Sequence, residues 1–202
     1  KTSPNNRITV GFIGTGDHGL RWNLGPYLRH KDAQVVAACD VDSNRLLRGA
    51  AKINEHYQNE DCFKAKDFRQ ILARPDIDAV MISTPDHWHT LISLLAIQAG
   101  KDVQCEKPTL TINEGKLLIK AVRRHKKVFQ TSTEDRAVPE YHRMAELVRN
   151  GRIGRLQRIE VVLPKQPEKP GDPTPQPVPK ELDYEMRSEE HTSELQSPYV
   201  IS

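Results

Sequence analysis

Cysteine is scarce in this chain of 202 residues: three in all, Cys39, Cys62 and Cys105. They are odd in number, widely spaced and never in a Cys-x-x-Cys pair. That excludes a disulfide framework and a zinc ribbon, and leaves buried reduced thiols as the expectation. Aromatic residues make up 5% and apolar residues 37%, with a mean hydropathy of −0.64. That is little apolar mass for a fully packed globular chain, so part of it is expected to lie outside any core. Charge of one sign is also lacking. Thirty Lys and Arg against 27 Asp and Glu leave a net +3, and no basic block or stripe stands out, which argues against a nucleic-acid partner. No apolar run approaches the ~18 residues of a membrane span. The polar start, Lys1–Arg7, has no signal-peptide pattern and does not open on Met, so a missing upstream segment is expected. At ~150 residues per domain, the length suits one domain and part of another.

What the chain does have is rhythm. Short apolar runs recur at Ile8–Ile13, Gln34–Cys39, Asp78–Ser83, Asp102–Cys105 and Val128–Thr131. They are nearly continuous rather than alternating, as strands buried on both faces of a parallel sheet should be. Helical patterns lie between them, over Leu20–Arg29, Ser43–His56, Asp67–Ala73, His87–Ala99 and Ile112–His125. Thr111 and Glu114 make a capping box at the last of these. Strand and helix in alternation predict an α/β fold, a doubly wound parallel sheet with right-handed crossovers. The domain is expected over 7–135.

The first strand runs into Gly14-Thr15-Gly16-Asp17-His18-Gly19, a G-x-G-x-x-G sequence between strand and helix. The first glycine permits a tight turn, the second lets backbone approach a pyrophosphate, and the third lets helix and strand pack closely. Asp40 ends the second strand, where a carboxylate accepts from ribose hydroxyls and repels a 2′-phosphate. The expected ligand is therefore NAD, with Arg45 close enough to keep NADP open. A glycine turn in another α/β protein, with Asp40 as a helix cap, is the plainer alternative.

Two further strands end in polar clusters, Ser83-Thr84-Pro85-Asp86-His87-Trp88-His89 and Cys105-Glu106-Lys107-Pro108. Ligands of open α/β sheets bind at the carboxyl ends of strands, so both clusters point to the same crevice. Lys107 fits proton transfer or hydrogen bonding to a reacting hydroxyl, and equally a solvated turn. His87 and His89 are catalytic candidates or simply the start of the next helix. No third ligand stands at metal-site spacing, so no metal is expected.

Together the glycine turn Gly14–Gly19, Ala-Cys-Asp40-Val-Asp, Thr84–His89 and Glu106-Lys107-Pro108 resemble the glucose–fructose oxidoreductase / inositol dehydrogenase (Gfo/Idh/MocA) family over about residues 7–163. The resemblance implies an NAD(P)-binding Rossmann domain followed by an α/β domain with a large open sheet that carries the substrate site and a homo-oligomer interface. It implies that Lys107 is catalytic, that Glu106 and Pro108 shape the nicotinamide pocket, and that Thr84, Pro85 and His89 line the cofactor site. It implies sugars or cyclic polyols as substrates, oxidised at a hydroxyl. Asp86 stands where many members carry Asn. A branch that cleaves glycosides through transient NAD-linked oxidation is one alternative; a dinucleotide-binding module without turnover is another. Cytoplasmic location is expected, with periplasmic export of the parent protein the alternative.

Beyond the sheet the rhythm changes. Pro139–Asn150 reads as a helix stopped by Gly151, and Leu156–Leu163 alternates in part, like the first strand of a second domain over 136–163. Seven of the 14 prolines fall within 164–179, which predicts an extended loop over 164–186. Residues 187–202 resemble the translation of a short-read sequencing adapter, so this tail is expected to be foreign to the natural protein. The resulting chain, a fragment, is expected to be inactive alone.

Overall fold

In the computed structural model, residues 7–107, 109–162 and 174–188 are described. Six strands form one parallel sheet: β1 (Ile8–Ile13), β2 (Ala33–Cys39), β3 (Phe63–Ala65), β4 (Ala79–Ile82), β5 (Asp102–Glu106) and β6 (Phe129–Ser132). Their order is β3-β2-β1-β4-β5-β6. The chain winds outward from β1 in one direction, then returns to β4 and winds in the other. The reversal opens a crevice at the carboxyl ends of β1 and β4, the place where such sheets bind ligands.

The apolar runs are continuous because the sheet is covered on both faces. In β4, Val80 and Ile82 join one core with Ile13, Ile71, Leu91 and Ile97, while Met81 joins the other with Val10, Phe12, Leu24 and Ile53. The covering helices are α1 (Leu24–Arg29), α2 (Ser43–Tyr57), α3 (Phe68–Leu72), α4 (Asp86–Gln98) and α5 (Ile112–His125). Local chemistry sets their ends. Asp42 caps α2 by accepting from Asn44 N–H at 2.9 Å and Arg45 N–H at 3.0 Å. Thr111 and Glu114 form the expected capping box on α5.

Three local features depart from the sequence expectation. β3 is only three residues long, too short to give a pattern. The helix after the glycine turn is not regular: Gly19–Asn23 is a π turn, with Leu24 N–H bonded to the Gly19 carbonyl. Pro26 lies just beyond it and cannot donate to the carbonyl four residues back, so the regular ladder is already broken there. The third is Leu156–Val162, which is no strand and has no ladder partner among the described residues. Apolar alternation is only half of what a strand needs; the other half is a neighbour. Leu163 and Pro108 lie outside the described residues.

The chain divides into two units, one of 1–132 with 179–202, the other of 133–178. The second unit holds a 3-10 turn (Glu134–Ala137) and α6 (Pro139–Arg149), whose Tyr141, Met144, Leu147 and Val148 are exposed.

The segment expected to be loop does more than connect. Leu182 forms an antiparallel bridge with Asp42, Ser43 N–H donates to Glu181 O, and Asp183 N–H donates to Val41 O. A short helix follows, α7 (Tyr184–Ser188), and Met186 packs on the core. Arg187 and Ser188, expected to begin a foreign tail, thus end this helix; the rest of that tail lies outside the described residues.

Candidate dinucleotide-binding site

β1 ends at Ile13, and the chain turns at Gly14 with φ +93°. A Cβ there would meet the Ser83 carbonyl carbon and oxygen at 2.6 Å. Gly14 is therefore required by the fold itself: β1 and β4 run too close for a side chain. Gly19 is required likewise, since its Cβ would collide with the Gly14 carbonyl. Gly16 differs. A Cβ there would touch only the Arg45 guanidinium, at 3.6 Å, and otherwise face open space. The protein leaves room over Gly16 that it does not itself fill, which is what a backbone cradle for a ligand looks like.

That room is part of a cavity of about 230 Å³ in the first unit. Of the residues singled out in the sequence, Gly14, Gly16, Asp17, His18, Gly19, Asp40, Thr84 and Pro85 line it. One wall is apolar, made by Phe68, Trp88, Ile92 and Met186. The Thr84 hydroxyl is buried and finds no partner among the described residues. A buried hydroxyl without a partner beside an open cavity fits a ligand that supplies one.

Asp40 sits at the end of β2 and is nearly buried. Its Oδ2 accepts from Thr15 N–H at 2.8 Å and lies 3.3 Å from the Thr15 hydroxyl; its Oδ1 accepts from Asp42 N–H at 2.9 Å. Burial raises the Asp40 pKa above the usual carboxylate range, and these hydrogen bonds and the Arg45 charge hold it back in part. The carboxylate thus fixes the glycine turn and still faces the cavity. Arg45 and Lys66 also line it, with Arg45 Nε 3.7 Å from Asp42 Oδ2.

Other candidates stand elsewhere. Thr15 is buried behind the turn, against Gly49 and Asp40. His89 does not line the cavity as the resemblance implied: it is 1% exposed, and its Nε2 lies 2.9 Å from Thr84 O. It stands behind the wall and holds the loop that forms it. The exposed His87 ring meets Arg187 O at 3.0 Å. Glu106 is buried, with Oε1 2.7 Å from Asn23 Nδ2 and 3.3 Å from His18 Nε2. Lys107 is exposed just beyond it, and its backbone N–H donates to Glu106 Oε2 at 3.3 Å. Among the described residues, no group of three His, Cys, Asp or Glu side chains could hold a metal, and no helix is long and apolar enough to cross a membrane.

Sequence reasoning missed Lys66, Phe68, Trp88, Met186 and Asn23. The first two follow β3, the strand too short to see. Trp88 lies within the Ser83–His89 cluster that points to the crevice, but nothing in its spacing marks it as a wall of the site.

Residues 8–133 match the family model described as the oxidoreductase family, NAD-binding Rossmann fold. Inositol 2-dehydrogenase 4 of Saccharopolyspora erythraea is 30% identical over 153 residues, 75% of this chain and 44% of that protein. Glycosyl hydrolase family 109 protein 2 of Shewanella sp. (strain ANA-3) is 33% identical over 106 residues, 51% of this chain and 23% of that protein. Among solved structures, the 3-ketoreductase KijD10 of Actinomadura kijaniata in complex with NADP superposes with a TM-score of 0.63 at 26% identity. That match covers 74% of this chain and 46% of that one. The chain spans less than half the length of these relatives. With the reversed strand order, the cradle over Gly16 and a family match across the whole sheet, this chain belongs to the Gfo/Idh/MocA oxidoreductases and carries their NAD(P)-binding Rossmann fold.

Proposed function

We propose that the crevice of β1 and β4 binds NAD(H), and that the whole protein transfers a hydride between that cofactor and a hydroxyl-bearing carbon of a sugar or cyclic polyol. The observation that carries the cofactor reading is the space over Gly16, which nothing in the fold requires. Gly16 would leave the pyrophosphate room against the turn, beside the start of the following helix. Asp40 takes the adenosine ribose through the lone pairs its own chain leaves unused, and Thr84 gives its hydroxyl a partner. Phe68, Trp88 and Ile92 offer the adenine an apolar wall. A carboxylate at Asp40 favours NAD over NADP, although Arg45 and Lys66 would tolerate a 2′-phosphate.

A bound nicotinamide supplies the acceptor or donor of the hydride. Lys107 holds the reacting hydroxyl and takes or returns its proton at Nζ. Glu106 shapes the pocket around that event. Support for the substrate class comes from the relatives, named as an inositol dehydrogenase and a 3-ketoreductase. In a full-length protein carrying this half, Lys107→Ala should lower turnover by about 10²–10⁴-fold while leaving NAD affinity within a few-fold. Turnover that survives within a few-fold would remove Lys107 from the chemistry.

The match to a glycosyl hydrolase family 109 protein favours a second reading, in which the same hydride step is transient and a glycoside is cleaved. The two separate by product: net NADH accumulates in the first, and free sugar without net NADH in the second.

A further inference from the structure

Asn23 belongs to no motif of the sequence, yet the π turn delivers it to the carboxyl ends of two strands at once. Its Nδ2 lies 2.8 Å from Ser83 Oγ, just past β4, and 2.7 Å from Glu106 Oε1, at the end of β5. An amide nitrogen carries two hydrogens, and both are used here. His18, one residue before the π turn, meets the same Glu106 oxygen at 3.3 Å. Lys107 N–H takes the other oxygen. Glu106 is only 7% exposed, so these partners replace the water that a carboxylate would otherwise hold. π turns inside helices recur at functional sites, because the extra residue re-aims a side chain. Here the turn spans Gly19–Asn23, and its product is a bridge across the crevice mouth.

We infer that Asn23 is a positioning residue for the nicotinamide end of the cofactor: it ties Ser83 to Glu106 and so fixes the Glu106 carboxylate and the backbone of Lys107. This rests on the NAD reading above. It gives the π turn a purpose, since one residue fewer in the helix would turn Asn23 by ~100° away from both strands. It also explains why a carboxylate is kept nearly buried at the end of β5.

The test uses the 202-residue chain and two variants, Asn23→Leu and Asn23→Asp. The second keeps the shape of the side chain but sets a carboxylate against Glu106, and thermal melting confirms that each variant is folded before it is titrated. Each protein is titrated with NADH and with ADP-ribose, which has every part of the cofactor except nicotinamide. NADH emission is read in the same titration, because it reports the surroundings of the nicotinamide ring. For Asn23→Leu, NADH affinity should fall about two- to tenfold, the span of one lost hydrogen bond, and the rise in NADH emission on binding should shrink. For Asn23→Asp both effects should be larger. ADP-ribose affinity should stay within twofold for both. Equal weakening of the two ligands would make Asn23 a general structural tie and overturn the inference, as would unchanged NADH affinity and emission. If the unaltered chain bound ADP-ribose and NADH to no measurable extent, the NAD reading would fall first and take this with it.

Discussion

Gly14 and Gly16 stand two residues apart and are glycine for opposite reasons. At Gly14 both the positive φ and the Ser83 carbonyl forbid a side chain. Gly14→Ala should therefore destabilise the fold by about 1–3 kcal/mol, or prevent folding, as seen by thermal unfolding. Gly16→Ala should leave the melting temperature unchanged and weaken NADH binding at least tenfold, since its methyl would fill the space over the turn. A Gly16→Ala protein that binds NADH normally would remove the phosphates from that turn. Asp40→Ala should weaken NADH by about 1–3 kcal/mol, because it strands the ribose hydroxyls. Acidification should do the same more gently. The Asp40 pKa is raised, so its proton returns at a higher pH than for an ordinary aspartate, and affinity should decline from there downward. The linkage sign is opposite for stability: a raised pKa favours the protonated fold, so this group penalises folding at neutral pH and ceases to do so in acid. All three cysteines are free and buried, with the Cys105 thiol pushed up to about 12 and Cys62 to about 11. Gly14, Gly16 and Asp40 were legible in the sequence because their spacing is local. Asn23 and Lys66 were not, because their positions depend on a π turn and on a three-residue strand.

Among elements, the runs at β1, β2, β4 and β5 could be read because both faces of these strands are largely buried, which leaves a continuous signature; β6, at the sheet edge, keeps Gln130 and Thr131 exposed. At Leu156–Val162 alternation alone pairs with nothing: Ile159, Val161 and Val162 are exposed and no neighbouring strand is described, as a strand without its sheet would be. The segment around Leu182 was illegible for the converse reason: it has no periodicity, and what holds it is backbone pairing to Val41 and Ser43. Trp88 Nε1 donates to Arg187 O at 3.2 Å, so this segment also covers the indole. Deleting residues from Pro179 onward should expose Trp88, which is now 4% exposed against 59% for Trp22. Tryptophan emission should shift to the red, and the loss of Met186 packing should cost about 1–2 kcal/mol, a few degrees of melting temperature. Unchanged emission would mean that the segment does not seat on α4.

At the scale of the molecule, the chain spans about half of its relatives or less, and its first unit is a nucleotide-binding half. In the proposed function Lys107 aligns only one side of a substrate. Proximity and orientation supply ~7–11 kcal/mol of catalysis in well-oriented cases, and a single side of a cleft does not provide that. The 202-residue chain should therefore show no NAD reduction over a panel of sugars and inositols, while its first unit still binds cofactor. Clear turnover would show that the second half is dispensable. The most direct test of the account is a titration of this chain with NADH, followed by emission and repeated with Gly16→Ala and Asp40→Ala. Saturable binding that both substitutions weaken, with melting temperature unchanged for Gly16→Ala, is the predicted result. Binding that ignores both, or no binding by a folded chain, would contradict it.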